Sequence, residues 1–560
     1  MMRKIALSLL FLTVAVFTVS AAERSVAKMR QAALRSLNST KAECVLNKKT
    51  LEVFTDGNRF SIVSRDDRFP AVLAYGNGNF DVNNMPSNVK WWLEHTQRCM
   101  ELAIEGKASV RAPKTYTPVA PLMTTKWGQD SPYNDMCPRI SGDEKDQDSP
   151  RASTGCVATA MAQIMNYQQY PATVHFNGAS YLGDELYEER EIQSIYSWPY
   201  LIAYGSYLPD GYTSMKDIKS QSYSVIQGKH VATLLRDCGY AVNMEYTEEG
   251  SGAVVVDASN ALVNKFDYPK QSVKYYYNSF YTAEEWMDIL YAELVNGCPV
   301  LYSGTDEQSG GHAFVLHGMD ADGLAYVNWG WDGLYDGYYA VSMLTPGGED
   351  CNFSEVGVDM ITGIRPTVLS TDIILSLFAT DKPYQFGYDN DTHKLSLTLS
   401  AALYNMTSRD FKGRWCLVIE KVNNPEDIEY EDLMEEGDIV KYWSGYDAQT
   451  VTFDATFIKG TYHIYMATLD EGETAWQYVR TVGGAFYYDL TVDDKGKATF
   501  AETPTFITGG TSPTAIRYIR QQPNDNSVRY YNLQGQEVNS STKGLIIRKQ
   551  GNEMKKVMVK

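Results

Sequence analysis

The run Ser153-Thr154-Gly155-Cys156-Val157-Ala158 puts a cysteine directly after a glycine, at the head of an apolar, alanine-rich stretch that continues to Met165. Unpaired N–H groups and the positive end of a helix dipole at such a position favour the thiolate, which is the form that acts as a nucleophile. Taken alone, the pattern also fits a buried cysteine at the start of an ordinary core helix. A second run, Gly310-Gly311-His312-Ala313-Phe314-Val315-Leu316, sets a histidine at the mouth of an apolar strand. Its flanking glycines permit close approach of another backbone. A third run, Ala325-Tyr326-Val327-Asn328-Trp329-Gly330-Trp331, follows a turn-rich stretch from Gly318 to Gly323, with Asn328 lying 16 residues after His312. A hairpin centred near Asp320 would set Asn328 opposite His312 on one face. The Asn carboxamide oxygen would then hold one imidazole nitrogen while the other faces the sulfur, and Trp329 would shield that contact from water. His317, an odd number of positions along the same strand, is expected on the other face in a core or surface role. Upstream of the cysteine, Lys126-Trp127-Gly128-Gln129 offers a side-chain amide. With the Cys156 N–H it could donate to a developing oxyanion.

These residues need a scaffold of mixed type. The helix headed by Cys156 is expected to reach about Gln169 and stop before Pro171, with Ala158, Ala160 and Ala162 allowing close packing. Strand-like runs follow at Pro299–Tyr302, Ala313–His317, Leu324–Trp329 and Gly337–Val341, so residues 113–365 read as one α+β domain. Residues 23–112 carry a helix over Ser25–Leu37, strands at Leu51–Val53, Phe60–Val63 and Ala71–Tyr75, and a helix from Met85-Pro86-Ser87-Asn88 to Gly106 that includes Trp91 and Trp92. The extended, proline-containing link Ala112–Pro118 offers a place for proteolytic cutting. From 366 to 505 the texture turns to strands separated by turns (Ile373–Leu377, Lys394–Leu403, Arg414–Val422, Thr450–Phe457, Thr461–Leu469, Ala485–Val492), which suggests an immunoglobulin-like β-sandwich. A tail, 506–560, holds Val528–Leu533, a turn at 534–536, Gly544–Arg548 and Lys556–Val559.

At 560 residues the chain is long enough for three or four folded units. Its formal charge of −19 argues against nucleic acid as a partner, since such a surface repels phosphate backbones. Eight widely spaced cysteines form no C-x-x-C pair, and the seven histidines form no ligand-type cluster. No metal and no other cofactor is therefore expected. Met-Met-Arg-Lys, an apolar run from Ile5 to Val19 and the small residues Ser20-Ala21-Ala22 describe a secretory signal peptide over 1–22. The run is shorter than the roughly 20 residues of a membrane span, and no stable span is expected. The 40 tyrosines are an excess for which composition offers no reason.

In combination, Trp127-Gly128-Gln129 to Asn134, Ser153-Thr154-Gly155-Cys156 to Pro171, Gly311-His312-Ala313-Phe314-Val315 and Val327-Asn328-Trp329-Gly330-Trp331 resemble the streptopain family of papain-like cysteine peptidases, in particular its secreted Bacteroidetes members. The resemblance covers roughly 24–365. It implies a papain-like fold, with Cys156 as nucleophile, His312 as general base and acid, Asn328 orienting the histidine, Gln129 as oxyanion donor and Trp329 beside the asparagine. It further implies that 23–112, with Gly78–Asp81 and the Trp91-Trp92 helix, is an inhibitory propeptide, removed by cutting between about Val110 and Val119. Protein or peptide substrates follow, and the propeptide would be the enzyme's own inhibitor. Two residues depart from the pattern: His317 where Asp is expected, and Asp332 where Gly is expected. The tail resembles short C-terminal modules of secreted Bacteroidetes proteins, some of which are sorting signals, and equally suits a stabilising β-module. Two other functions remain compatible with the sequence. One is a papain-like amidase or transamidase acting on cell-wall peptides. The other is a non-enzymatic surface-binding protein in which the β-rich region acts.

Overall fold

The computed structural model describes residues 23–106, 109–110, 114–201, 224–306, 310–341, 344–345, 357–435 and 437–507, and the tail strands 528–531, 537–538, 544–550 and 553–559. The expected signal peptide and the tail turn at 534–536 lie outside them, as does part of the expected link. The chain forms two compact units. One holds residues 1–269 and 275–367, the other 270–274 and 368–560.

The first unit is α+β. Ser25 caps helix α1 (Val26–Ser36) by accepting from Lys28 N. Strands β1 (Glu43–Asn47), β2 (Leu51–Thr55), β3 (Arg59–Ser64) and β4 (Val72–Asn77) follow as an antiparallel meander. Helix α2 (Ser87–Ile104) turns a face of Val89, Trp91, Trp92, Leu93 and Met100 inward. Helix α3 (Cys156–Gln168) is almost wholly buried, as its alanine-rich sequence demands, and ends where Gln169 adopts a left-handed conformation. A long hairpin that the sequence reading did not pick out, β5 (Thr173–Leu182) and β6 (Glu185–Ile195), comes next. Helices α4 (Val225–Ala241) and α5 (Val255–Asn264) follow, then β7 (Lys274–Tyr277) and α6 (Ala283–Val295). The remaining strands are β8 (Val300–Asp306), β9 (Gly310–Met319), β10 (Ala325–Asn328), β11 (Gly337–Tyr339) and β12 (Val358–Thr362).

One ten-stranded sheet joins these strands in the order β1-β2-β3-β4-β11-β10-β9-β8-β12-β7. The N-terminal meander thus continues the sheet that carries His312, through Tyr75 against Tyr338 at the β4–β11 seam. Part of the tyrosine excess sits there. Tyr75 and Tyr338 stack at 5.0 Å, Tyr338 meets Tyr326 edge-on, Tyr326 meets His317, and the Tyr75 hydroxyl donates to Asp320 at 3.1 Å. The expected link is docked rather than loose where it is described. Within it Tyr116 N donates to Ala321 O at 3.0 Å, and on either side of it Ser109–Val110 pair with Leu344–Thr345 and Val119 bridges Met319.

The second unit is all β over 368–507, and the tail forms a four-stranded sheet of its own. Its longest ladder runs from β13 (Phe411–Lys421) through β14 (Gly460–Asp470) to β15 (Gly484–Val492). Phe378, Tyr384, Leu403, Phe411, Trp415 and Phe486 fill a core beneath it. The segment expected as a strand at Ile373–Leu377 is not one, and the strand begins at Phe378. The preceding residues are held instead by side chains: Glu473 accepts from Ile374 N, and Gln477 accepts from Ser376 N and donates to Ile374 O. The expected strand Lys394–Leu403 is broken into Lys394–Thr398 and Leu403–Asn405.

Candidate active site

Cys156 is the first residue of α3, and Gly155 before it takes φ +83° as the N-cap. A side chain at Gly155 would lie 2.7 Å from Met244 Sδ and 2.9 Å from Ser251 O, so both conformation and space require glycine. Thr159 Oγ1 donates to Gly155 O at 2.9 Å and lies 2.8 Å from Thr154 Oγ1, which fixes the turn into the helix. The Cys156 sulfur, at the edge of β9, accepts from Ala313 N at 3.3 Å, so it lies one residue from the His312 backbone. The sequence reading expected the helix terminus to favour the thiolate. Here burial pushes the thiol up, and it prevails over the lowering effect of the Ala313, Val157 and Cys156 N–H groups.

Gln129 is buried and lies beside the cysteine loop, its carbonyl accepting from Thr154 N at 3.1 Å. His312 is half-buried on β9, opposite Gly304 of β8. An added Cβ at Gly304 would sit 2.0 Å from the Trp91 indole. The α2 indole therefore fills the space beside His312 on that face of the sheet. Trp91 in turn stacks on His95 and approaches Phe314.

The register between β9 and β10 corrects one expectation. Asn328 pairs with Val315, not His312, so strand alternation turns the two side chains to opposite faces. The cause is the turn. Asp320 Oδ1 accepts from the N–H groups of Asp322 and Leu324, and Asp320 N donates to Leu324 O, which centres the hairpin beyond Asp320. Asn328 spends its carboxamide elsewhere. Its Nδ2 donates to Thr125 O at 2.7 Å and to Gln163 Oε1 at 3.1 Å, and its Oδ1 accepts from Gly330 N and Gln163 Nε2, each at 3.0 Å. Trp329 is fully buried against Phe314 and Tyr339 on the His312 face. Its N–H donates to Asp336 at 3.0 Å, and its carbonyl accepts from Asn88 of α2 at 3.1 Å.

Two further titratable groups flank this machinery. His317 is buried, accepts from Met123 N through Nδ1 at 3.2 Å, and is held neutral by burial, with its pKa lowered to about 3. Burial pushes the Asp336 carboxyl up to about 7; the Trp329 N–H and Lys126 oppose this, and Asp332 adds to it. The reading by sequence missed Gln163, although an amide seven residues after the cysteine, between apolar neighbours, was a usable signal. It also missed that Asn88 reaches the site, where it bonds Trp329 O, because a contact across more than two hundred residues leaves no local trace.

Comparison with known proteins adds a family context. Residues 127–339 match the profile described as the Peptidase C10 family, and residues 21–100 match that of the Spi protease inhibitor. The chain is similar to streptopain of Streptococcus pyogenes, 31% identical over 300 residues, 51% of this chain and 72% of the relative. It is also similar to the thiol protease/hemagglutinin PrtT of Porphyromonas gingivalis, 29% identical over 416 residues, 69% of this chain and 45% of the relative. The chain thus spans less than half of that second protein. Among solved structures, a prointerpain A fragment of Prevotella intermedia is 31% identical, with a TM-score of 0.48, covering 59% of this chain and 99% of the fragment. Active interpain A of the same organism is 32% identical, with a TM-score of 0.35, covering 46% and 99%.

Proposed function

This chain belongs to the peptidase C10, streptopain-like family of cysteine peptidases, and from that premise we propose that it is a secreted endopeptidase made as a zymogen. The observation that carries the reading is the Cys156 sulfur at the head of α3, lodged against the Ala313 amide next to His312. In the reaction, the Cys156 thiolate attacks a substrate peptide carbonyl, and Gln129 Nε2 with the Cys156 N–H receives the developing oxyanion. The sulfur–carbon bond forms as the carbonyl opens to the oxyanion; as the carbonyl re-forms, the peptide C–N bond breaks, and His312 passes to the leaving amine the proton it took from the Cys156 thiol. His312 then takes a proton from water, which opens the thioester and frees the acid product. Trp329 packs the strand ends beneath His312. Asn328 supports the site through its bonds to Thr125 and Gly330 rather than by lying opposite His312. No step calls for a metal or other cofactor.

Residues 23–112 act as the inhibitory propeptide. The Trp91 wedge beside His312 supports this role. Cutting between about Val110 and Val119 would start maturation, and the 366–505 region is read as an immunoglobulin-like sandwich. The test uses full-length Cys156→Ala. It should neither mature by itself nor cleave casein, yet be trimmed by added wild-type enzyme. Casein cleavage by the purified variant would sink the reading.

A further inference from the structure

The two side-chain amides of Gln163 and Asn328 form a reciprocal pair. Gln163 Nε2 donates to Asn328 Oδ1 at 3.0 Å while Asn328 Nδ2 donates to Gln163 Oε1 at 3.1 Å. Both residues are buried, at 0% and 1% exposure, so every bond they make replaces one that water would supply. The orientation of each amide is set by backbone groups that cannot be exchanged. Gly330 N must donate to Asn328 Oδ1, Thr125 O must accept from Asn328 Nδ2, and Trp127 N donates to Gln163 Oε1 at 3.3 Å. Turning either amide over would set donor against donor and acceptor against acceptor.

Three separate pieces of chain meet at this pair. Gln163 lies seven residues after Cys156, two turns along the same face of α3 and about 10 Å from it. Thr125 and Trp127 belong to the segment that ends in Gln129. Asn328 closes β10 and leads into Gly330, beside Trp329. The Gln129 segment is tied to the turn before α3 by Thr154 N to Gln129 O, and to the amide pair through Trp127 N and Thr125 O.

We propose that Gln163 is a positioning residue of the peptidase, locking the Gln129 segment and the β10 end to the helix that presents Cys156. The inference rests on the cysteine-peptidase reading above. A misplacement near 1 Å in a catalytic contact costs on the order of a hundredfold in rate, so loosening this tie should act on turnover more than on substrate affinity. A core-packing role would act on stability alone.

The test compares mature enzymes released from full-length zymogens carrying Gln163→Met, Gln163→Glu or Met165→Ala. Met165 lies on the same helix, buried against Cys238, and serves as the stability-matched control. Gln163→Met should lower kcat about 10- to 100-fold with KM within about threefold. Met165→Ala should lose as much in Tm yet keep kcat within about twofold of wild type. Gln163→Glu adds a signature that packing cannot mimic. Its carboxyl, when protonated, can donate to Asn328 Oδ1, and when ionised it cannot. Its kcat relative to wild type should therefore fall as pH rises. A Gln163→Met kcat within about threefold of wild type overturns the proposal, as does a pH-independent ratio for Gln163→Glu. If Gln163→Met does not fold, the Gln163→Glu profile decides. Hydrolysis by Cys156→Ala, run alongside, would instead overturn the peptidase reading whatever Gln163 does.

Discussion

Replacing Trp91 by Ala should switch on the uncut chain. The indole is 2% exposed, stacks on His95, approaches Phe314 and occupies the space next to Gly304, directly beside His312. Truncating a buried Trp to Ala typically costs about 3–5 kcal/mol. Part of that falls on α2 itself, and the remainder weakens its hold on the His312 face. If about 3 kcal/mol acts on docking, the undocked population rises on the order of a hundredfold. The assay is the initial rate of hydrolysis of a short fluorogenic peptide by full-length protein, with gels confirming that the chain is still intact. Gly304→Ala approaches the same contact from the other side, since its methyl would lie 2.0 Å from the indole, and should shift the basal rate in the same direction. If Trp91→Ala lowers Tm while the intact chain stays as silent as wild type, inhibition does not work through this wedge.

Three further outcomes follow from buried groups, best measured in a Cys156→Ala background that cannot digest itself. Gly155→Ala forces a side chain into positive φ and against Met244; thermal scans should show a loss of about 1–3 kcal/mol. His317 is lowered to about 3 in the fold, so the stability it allows is present above pH 6.5 and drains as pH falls toward 3. His317→Gln should flatten the Tm profile across that window, and an unchanged acid limb would contradict the assignment. Asp336 has the opposite sign, because its carboxyl is raised to about 7. Its contribution is present below about pH 4 and lost as pH rises through 7, so Asp336→Asn should raise Tm at pH 8 and leave it nearly unchanged at pH 4.

Much of the site could be read from sequence because its signals are local. Gly155 before Cys156, the small residues of α3 and the glycines before His312 all act through backbone conformation and close packing within a few residues. The pairing of His312 with Asn328 could not be read in the same way. Shifting the centre of a hairpin by a residue or two moves every partner by twice that, and here the Asp320 carboxylate chose the centre by gathering two N–H groups. The break in the Ile373–Leu377 strand has a similar origin, since the Gln477 side chain supplies bonds that a neighbouring strand would otherwise make. The Cys156 sulfur meets the Ala313 amide across 157 residues of chain, a contact that no window of sequence contains.

The seam between β4 and β11 makes cutting and release two different events. While the link is whole, the N-terminal segment faces the body at an effective concentration on the order of millimolar. A cut between 110 and 119 abolishes that tether but breaks none of the pairs Gly337–Gly76, Tyr338–Tyr75 and Tyr339–Ala74. The nicked protein is therefore a two-piece complex held by a shared sheet, and its dissociation is governed by mass action. Freshly cut enzyme should stay quiet where it is crowded and awaken on dilution, so distance from its source, as much as proteolysis, would set where it begins to act.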